Sequence, residues 1–240
     1  MRPSERDFLL MILAASAGSA DGWSYFGFGH AFVANMTGNT VLVGMTVFRF
    51  NADLIHPALA LACYCVGVAL AAFLTRKVRE GSQWPRAVSF TLLVEGILVA
   101  GCEAAWIHVF RASAGSYTAG AYALDPLLGV LAFAIGMQSG AMLQLKIPGI
   151  VTTYISGTWT SLMSGGVHLM TRGKRLPRRQ NLAFEERLMM QGGVLAVYLL
   201  SVVVTGWLLR NVPASVGALP AAAVLTAAVY GLVRGSRVAA

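Results

Sequence analysis

The sequence predicts an all-α integral membrane protein with six net transmembrane crossings, arranged as a 3+3 inverted repeat. Three observations lead to this prediction. The 240-residue chain is 57% hydrophobic and only 12% charged, with a mean hydropathy of +0.67. Its basic residues cluster in short connections between apolar segments. A polar, glycine-rich segment occurs once in each half, so we expect the repeats at 1–111 and 112–240.

Eight apolar segments follow one another along the chain. They lie at about 8–28, 31–50, 55–75, 87–110, 124–146, 150–170, 188–210 and 213–233. The paired segments at 8–50 and 124–170 are each roughly twice the ~20 residues that span a bilayer. We therefore expect each pair to be one full helix plus an interrupted or re-entrant piece, with non-helical joints at Tyr25–His30 and Lys146–Gly149.

The Lys and Arg residues predict the orientation. The connections at 76–86 and 171–187 are the most basic, and the positive-inside rule places both of them, with both termini, in the cytoplasm. Segment 55–75 then runs inward, so 8–50 must make an odd number of crossings, and one is the economical answer. The same reasoning gives 124–170 one crossing. Three crossings per half invert the second half relative to the first, in a multi-pass protein of the cell (inner) membrane.

The first copy of the polar, glycine-rich segment is Gly18–Gly44, and the second, weaker copy is Gly136–Ser161. Matching positions recur at an offset of 118 or 119 residues: Gly18 with Gly136, Gly22 with Gly140, and Thr37–Asn39 with Ser156–Thr158. Two polar, glycine-interrupted segments at corresponding places in two halves are typical of a transporter binding site near the midplane. The bland alternative is that small-residue patterns recur by chance in a membrane protein rich in alanine and glycine.

Two carboxyls are expected deep in the membrane, Asp21 and Glu95. A buried acid is costly there unless it faces protein or water, and it can hold a proton at neutral pH. We therefore predict proton coupling for both, against the alternative of structural hydrogen bonding. Glu103 lies nearer the outer surface by helix length, so simple hydration is expected.

Neutral polar side chains in the duplicated segments are the predicted substrate-binding residues. They are Asn35, Thr37 and Asn39 in the first unit, and Gln138, Thr153, Ser156 and Thr158 in the second. Their donors and acceptors suit a small polar solute, and an inverted repeat brings the two segments together. Ordinary hydrogen bonds between transmembrane helices are the alternative.

Other functional classes find little support in the composition. Cys63, Cys65 and Cys102 lie in apolar segments, and the four histidines have no ligand spacing, so we expect no metal site and no cofactor. The net charge of +8 is spread over membrane connections, which argues against nucleic-acid binding. No catalytic motif is present, so we expect no enzyme.

Several of these residues also carry a family resemblance. Asp21, Tyr25, Phe32 and Ala34–Asn39, together with Gly136–Gln138 and the threonine- and serine-rich stretch 152–160, resemble the two signatures of the YoaK-like family of small bacterial membrane proteins. The chain departs from that pattern at Gly22, Ser139 and Gln144, where alanine, asparagine and arginine are usual. The resemblance implies six spans and names no substrate.

The most specific function that these patterns favour is a secondary transporter of a small polar solute, coupled to protons through Asp21 or Glu95. A channel and a non-transporting membrane scaffold are the alternatives. Six helices with two of them broken give little scaffold, and symmetric dimers are the commonest oligomers, so we expect a homodimer surrounded by membrane lipid.

Overall fold

The computed structural model describes residues 3–46, 55–77, 84–112, 121–145, 155–172 and 178–235. Within these ranges the chain is helical and contains no strand. The helices are α1 (Pro3–Gly27), α2 (Met36–Thr46), α3 (Ile55–Thr75), α4 (Arg86–Ala112), α5 (Ala121–Leu143), α6 (Ile155–Arg172), α7 (Arg178–Asn211) and α8 (Ala218–Gly235), with a 3-10 turn at Pro213–Ser215.

At least five helical stretches in these ranges are long and apolar enough to cross a membrane. They are Ile55–Thr75, Arg86–Ala112, Leu124–Leu143, Phe184–Asn211 and Pro213–Gly235. Large apolar side chains on them are widely exposed, as lipid-facing residues are: Val66, Ile97 and Trp207 are each about 60% exposed. The prediction of an all-helical, multi-pass membrane protein is confirmed at this level.

Helix boundaries differ from the apolar segments mainly at the polar ends. Helix α7 begins at Arg178, ten residues before the predicted segment at 188–210, and α1 begins at Pro3 rather than at position 8. The hydropathy pattern marks only the part of a helix that suits lipid, whereas good helix formers such as Glu, Arg, Leu and Gln extend the helix into the polar region. The basic stretch before position 188 is thus the first part of a transmembrane helix.

The break between α1 and α2 lies later than predicted. Helix α1 continues through Tyr25 to Gly27, and the non-helical backbone runs over 28–35, so the expected joint at Tyr25–His30 is only partly correct. Gly29 has a φ of +79° and a Cβ there would lie 2.8 Å from the His56 ring, so this turn requires glycine. The second expected joint, Lys146–Gly149, lies outside the described residues.

Most of the main helix pairs have an equivalent pair among the other helices. Helix α1 packs along α7 and α8, α5 along α3 and α4, α2 against α3, α6 against α7, and α4 against α8. If α1 is exchanged with α5, α2 with α6, α3 with α7 and α4 with α8, each of these pairs becomes another pair of the same set. Helices of one half therefore pack largely against helices of the other.

Two glycines at matching positions make close backbone contacts in these pairs. A Cβ on Gly18 would lie 2.6 Å from the Tyr198 carbonyl oxygen of α7, and a Cβ on Gly136 would clash with the Tyr64 carbonyl oxygen of α3. Small residues let helix backbones approach in this way in membranes. Gly18 thus lets α1 approach Tyr198 of α7, and Gly136 lets α5 approach Tyr64 of α3.

An aromatic cluster supports the break. The Trp23 and Trp106 ring centroids are 6.0 Å apart, and those of Phe28 and Trp106 are 5.4 Å apart. The Trp106 indole also donates a hydrogen bond of 2.8 Å to the carbonyl of Pro213. The cluster thus packs the end of α1 against α4, and the hydrogen bond joins α4 to the 3-10 turn before α8.

Candidate functional site

A cavity of about 410 Å³ lies where α2 and α6 begin. Its lining comes from both halves of the chain: Ala34, Asn35, Met36, Thr37, Tyr64, Ile155, Ser156, Trp159 and Tyr198. Met36 and Thr37 occupy the same positions in the sequence repeat as Ile155 and Ser156. We call this space the central cavity.

Only some of the predicted substrate-binding residues line the central cavity. Asn35, Thr37 and Ser156 line the central cavity, and all three are exposed. Asn39 and Thr158 are buried at 0% and 2% exposure, inside their helices' first turns, and neither lines it. Thr153 lies outside the described residues, so the structure places three of the seven residues in the cavity wall.

Gln138 lies at the contact between α5 and α1. Its side chain is fully buried, and its amide nitrogen donates a hydrogen bond of 3.1 Å to the carbonyl of Leu13 in α1. This bond joins α5 to α1, away from the cavity wall. In this conformation Gln138 binds protein backbone.

Asn35 and Asn39 organise the backbone that forms one wall. The Asn35 side-chain oxygen accepts a bond of 3.2 Å from the Gly38 N–H, as a helix N-cap does. Asn39 pairs with the backbone of Phe32 on both sides, because its amide donates to the carbonyl at 2.6 Å and its oxygen accepts from the N–H at 2.9 Å. The two amides close the turn that precedes α2.

Asp21 holds the same turn from α1. One carboxylate oxygen accepts hydrogen bonds from the backbone N–H groups of Val33 at 2.8 Å, Ala34 at 2.6 Å and Asn35 at 3.3 Å. The other accepts a short hydrogen bond from the Tyr198 hydroxyl. The side chain is 3% exposed, and its negative charge lies at the N-terminus of α2, where the helix dipole favours it. Asp21 thus connects α1, α2 and α7 directly behind the cavity wall.

The equivalent position in the second half is different. Ser139, at an offset of 118 from Asp21, is also buried, but its hydroxyl donates a bond of 3.0 Å within its own helix, to the Ile135 carbonyl. The carboxylate that holds the first break therefore has no acidic counterpart at this position in the second half.

Glu95 and Glu103 have contrasting surroundings. Glu95 is 0% exposed in the middle of α4, and neither carboxyl oxygen has a hydrogen-bond partner in the part of the chain that the structure describes. Glu103 is 8% exposed and accepts a hydrogen bond of 2.9 Å from the Gly217 N–H at the start of α8. The expectation of a simply hydrated Glu103 is wrong, because the turn before α8 covers it.

The aromatic part of the lining was missed in the sequence. Tyr64 and Tyr198 lie in otherwise aliphatic segments, and Trp159 lies in the polar second unit. A tyrosine in the middle of an aliphatic span is a weak signal, since only packing shows which face it occupies. No group of three or more His, Cys, Asp or Glu side chains in the described ranges is placed to hold a metal ion.

Comparison with known proteins identifies the family. A family model described as "Protein of unknown function (DUF1275)" matches residues 9–232, which is most of the chain. The chain belongs to this family. A curated protein to which the chain is similar is the UPF0700 transmembrane protein YoaK of Bacillus subtilis (strain 168), which is 31% identical over 159 residues.

The alignment with that relative covers 66% of this chain and 66% of YoaK, so the chain spans about two thirds of its length. The resemblance to the YoaK-like family is thereby confirmed. The relative's name describes a transmembrane protein, in agreement with the five apolar helices. No solved structure matches the chain.

Proposed function

We propose that this DUF1275 protein is a secondary transporter, and not an enzyme, and that it binds a small polar solute in the central cavity. The observation that carries the proposal is that matching residues of the two halves, Met36–Thr37 and Ile155–Ser156, line one cavity. A site between the repeats, where non-helical backbone meets the starts of short helices, is how secondary transporters bind solutes. The neutral Asn, Thr and Ser groups beside aromatic rings suit an uncharged polar solute.

The proposed scaffold is a six-crossing inverted repeat. Its support is the exchange relationship among the helix pairs, in which α1 on α7 corresponds to α5 on α3. The close approach of Gly18 to Tyr198 and of Gly136 to Tyr64 follows the same relationship. Together α1 and α2 would then make one net crossing, and so would α5 and α6. Both termini would be in the cytoplasm, and the protein would assemble as a homodimer in the cell (inner) membrane.

Protons would be coupled to the solute through Asp21 and Glu95. Asp21 binds both the turn before α2 and Tyr198, which are parts of the cavity wall. Adding a proton to its carboxylate would remove one acceptor and loosen that wall. Glu95 differs, because no donor among the described residues would stabilise a negative charge on it. A carboxyl that favours its protonated form in this way is suited to carry a proton through the membrane.

Transport can be tested with purified protein in proteoliposomes. A panel of sugars, polyols, amides and neutral amino acids is added with and without a proton gradient, and charge movement is recorded on a solid-supported membrane. Saturable uptake of one solute is expected, with affinity lowered by Asn35→Ala and by Ser156→Ala. Thr226→Ala, which removes an exposed hydroxyl on α8, is the matched control.

The competing functions give different results in the same experiment. Unsaturable flux that persists in the Asp21→Asn, Glu95→Gln double variant would identify a channel. No flux and no solute binding, with a dry and closed central cavity, would identify a scaffold protein.

The orientation is tested by labelling single cysteines in a variant that lacks Cys63, Cys65 and Cys102. In intact cells a membrane-impermeant maleimide should modify cysteine at Asn51 or Ser116, but not at Ser82 or Gln180. Labelling of the opposite pair would contradict the proposed six crossings.

A further inference from the structure

A second cavity, of about 420 Å³, lies between α6 and α7. Its lining residues are Thr160, Ser161, Ser164, Gly165 and His168 from α6, and Phe184, Arg187, Leu188 and Gln191 from α7. None of them lines the central cavity. We call this space the α6–α7 cleft.

The cleft is built from one face of each helix. On α7 the lining positions are spaced by three or four residues, from Phe184 to Gln191, as a single helix face requires. At Gly165 the absence of a side chain lets the Leu188 side chain approach α6 closely. The His168 ring lies 5.6 Å from the Phe184 ring, which holds the imidazole in place. Gln191 is 1% exposed in the wall.

The polar groups of the cleft suit an oxyanion. Arg187 supplies a planar set of N–H donors that matches phosphate, and His168 supplies at least one ring N–H in either protonation state. Ser161 and Ser164 also line the cleft. The two acids next to Arg187 in sequence, Glu185 and Glu186, are exposed and do not line the cleft.

The helix ends beside the cleft are basic. Helix α6 ends with Arg172, and α7 begins with Arg178 and Arg179. Lys and Arg residues near the end of a membrane span attract anionic lipid headgroups and mark the cytoplasmic side. The candidate membrane span in α7 is Phe184–Asn211, so Arg187 lies near the end of this span, close to the basic start of the helix.

The surface next to the cleft is apolar. Met163 and Val167 are 57% and 61% exposed on the neighbouring face of α6. Acyl chains can lie against these side chains while a headgroup occupies the polar cleft. A free anion would not use this apolar surface, so the arrangement favours a lipid over a soluble phosphate compound.

We propose that the α6–α7 cleft binds the phosphate headgroup of an anionic membrane phospholipid. Arg187 and His168 bind the phosphate oxygens, and the lipid chains lie along Met163 and Val167. This lipid is a resident of the cytoplasmic leaflet, separate from the solute of the central cavity. The inference stands even if the protein is a channel or a scaffold.

The test is native mass spectrometry of the full-length protein after detergent delipidation and addition of phosphatidylglycerol or phosphatidylcholine. We expect preferential retention of phosphatidylglycerol, lowered roughly fivefold or more by Arg187→Gln, because a charge-assisted contact to phosphate is removed. His168→Ala should lower retention less. Arg210→Gln is the matched control, since Arg210 is an exposed arginine near the other end of α7.

Three results would overturn the proposal. One is equal retention of the two lipids, and another is equal loss of phosphatidylglycerol in the Arg187→Gln and Arg210→Gln variants. The third is displacement of the lipid by millimolar inorganic phosphate, which would identify a soluble anion as the ligand. Melting temperatures and elution profiles of all variants must match the wild type, and if Arg187→Gln fails this check, Arg187→Lys, which keeps the charge, replaces it and should show an intermediate loss.

Discussion

Asp21 and Glu95 are both buried carboxyls in a membrane protein, yet their surroundings are opposite. The Asp21 carboxylate accepts hydrogen bonds from three backbone N–H groups and from the Tyr198 hydroxyl. Glu95 is more deeply buried, and its oxygens accept no hydrogen bond from the described part of the chain. Burial alone therefore does not assign the same role to two acids.

The different surroundings suit the two carboxyls to different roles: Asp21 to holding the structure, and Glu95 to the proposed carrying of a proton. Four donors stabilise a charged carboxylate and tie Asp21 to the turn before α2, so its removal breaks structure. No described donor would stabilise a charge on Glu95. Replacing the Glu95 carboxyl with a neutral group therefore removes a destabilising buried charge. Under the proposed function, Glu95 would carry the proton, and Asp21 would act through its hydrogen bonds to the cavity wall.

The largest effect is expected for Asp21→Leu. It leaves the N–H groups of Val33 and Ala34 and the Tyr198 hydroxyl without their acceptor, which should lower the free energy of unfolding by about 3–5 kcal/mol. Thermal unfolding in a mild detergent measures it, with Ser139→Ala as the control in the second half, expected to cost less than about 1 kcal/mol. Wild-type stability of Asp21→Leu would show that the hydrogen bonds do not hold the break.

Asp21→Asn should have an intermediate effect of about 1–2 kcal/mol. The amide keeps one oxygen for the backbone donors and can donate its N–H to the Tyr198 oxygen, so the fold is retained without the charge. Any pH-dependent step that uses Asp21 should disappear. Uptake with an unchanged pH profile would remove Asp21 from the coupling mechanism.

Tyr198→Phe tests the link between Asp21 and α7. It removes a hydrogen bond to a charged group and should destabilise by about 1.5–3 kcal/mol at most. Tyr64→Phe is the matched control in the other half, because the Tyr64 hydroxyl makes no hydrogen bond to any residue that the structure describes. Its expected change is within about 0.5 kcal/mol. Equal losses in the two variants would remove the special role of the bond to Asp21.

The smallest effect on stability is expected for Glu95→Gln. Replacing a buried carboxyl that has no described donor should leave the melting temperature at neutral pH unchanged or slightly raised. Proton-driven uptake should nevertheless be lost, while solute binding persists. A large loss of stability would show that Glu95 has a structural partner.

Much of the helical architecture was predictable, because it depends on local composition. Segment 55–75 coincides with α3, and the 87–110 segment lies within α4. The start of α7 was not predictable from hydropathy, because the residues before position 188 are polar helix formers. The position of Glu103 along its helix led to the wrong prediction that its carboxyl is hydrated, because helix position does not show that Gly217 covers the carboxyl.

The site was predictable in part. Asp21 is conspicuous as an acid in an apolar segment, and Asn35, Thr37 and Ser156 lie in the two similar polar, glycine-rich segments of the sequence. The partners of Asp21 were not predictable, because three are ordinary backbone N–H groups and the fourth, Tyr198, is 177 residues away in sequence. The asymmetry between Asp21 and Ser139 is visible in the sequence, but its meaning depends on the turn that Asp21 binds.

The packing of α1 on α7 has a consequence for biosynthesis. Helix α1 leaves the ribosome first, yet the helix that receives Gly18 and binds Asp21 begins only at Arg178. During synthesis α1 is therefore in the membrane before α7 exists, and the Asp21 carboxylate then lacks its hydrogen bond from Tyr198. A fragment of residues 1–111 contains α1 without α7, so Gly18 and Asp21 would lack their contacts with Tyr198 in it.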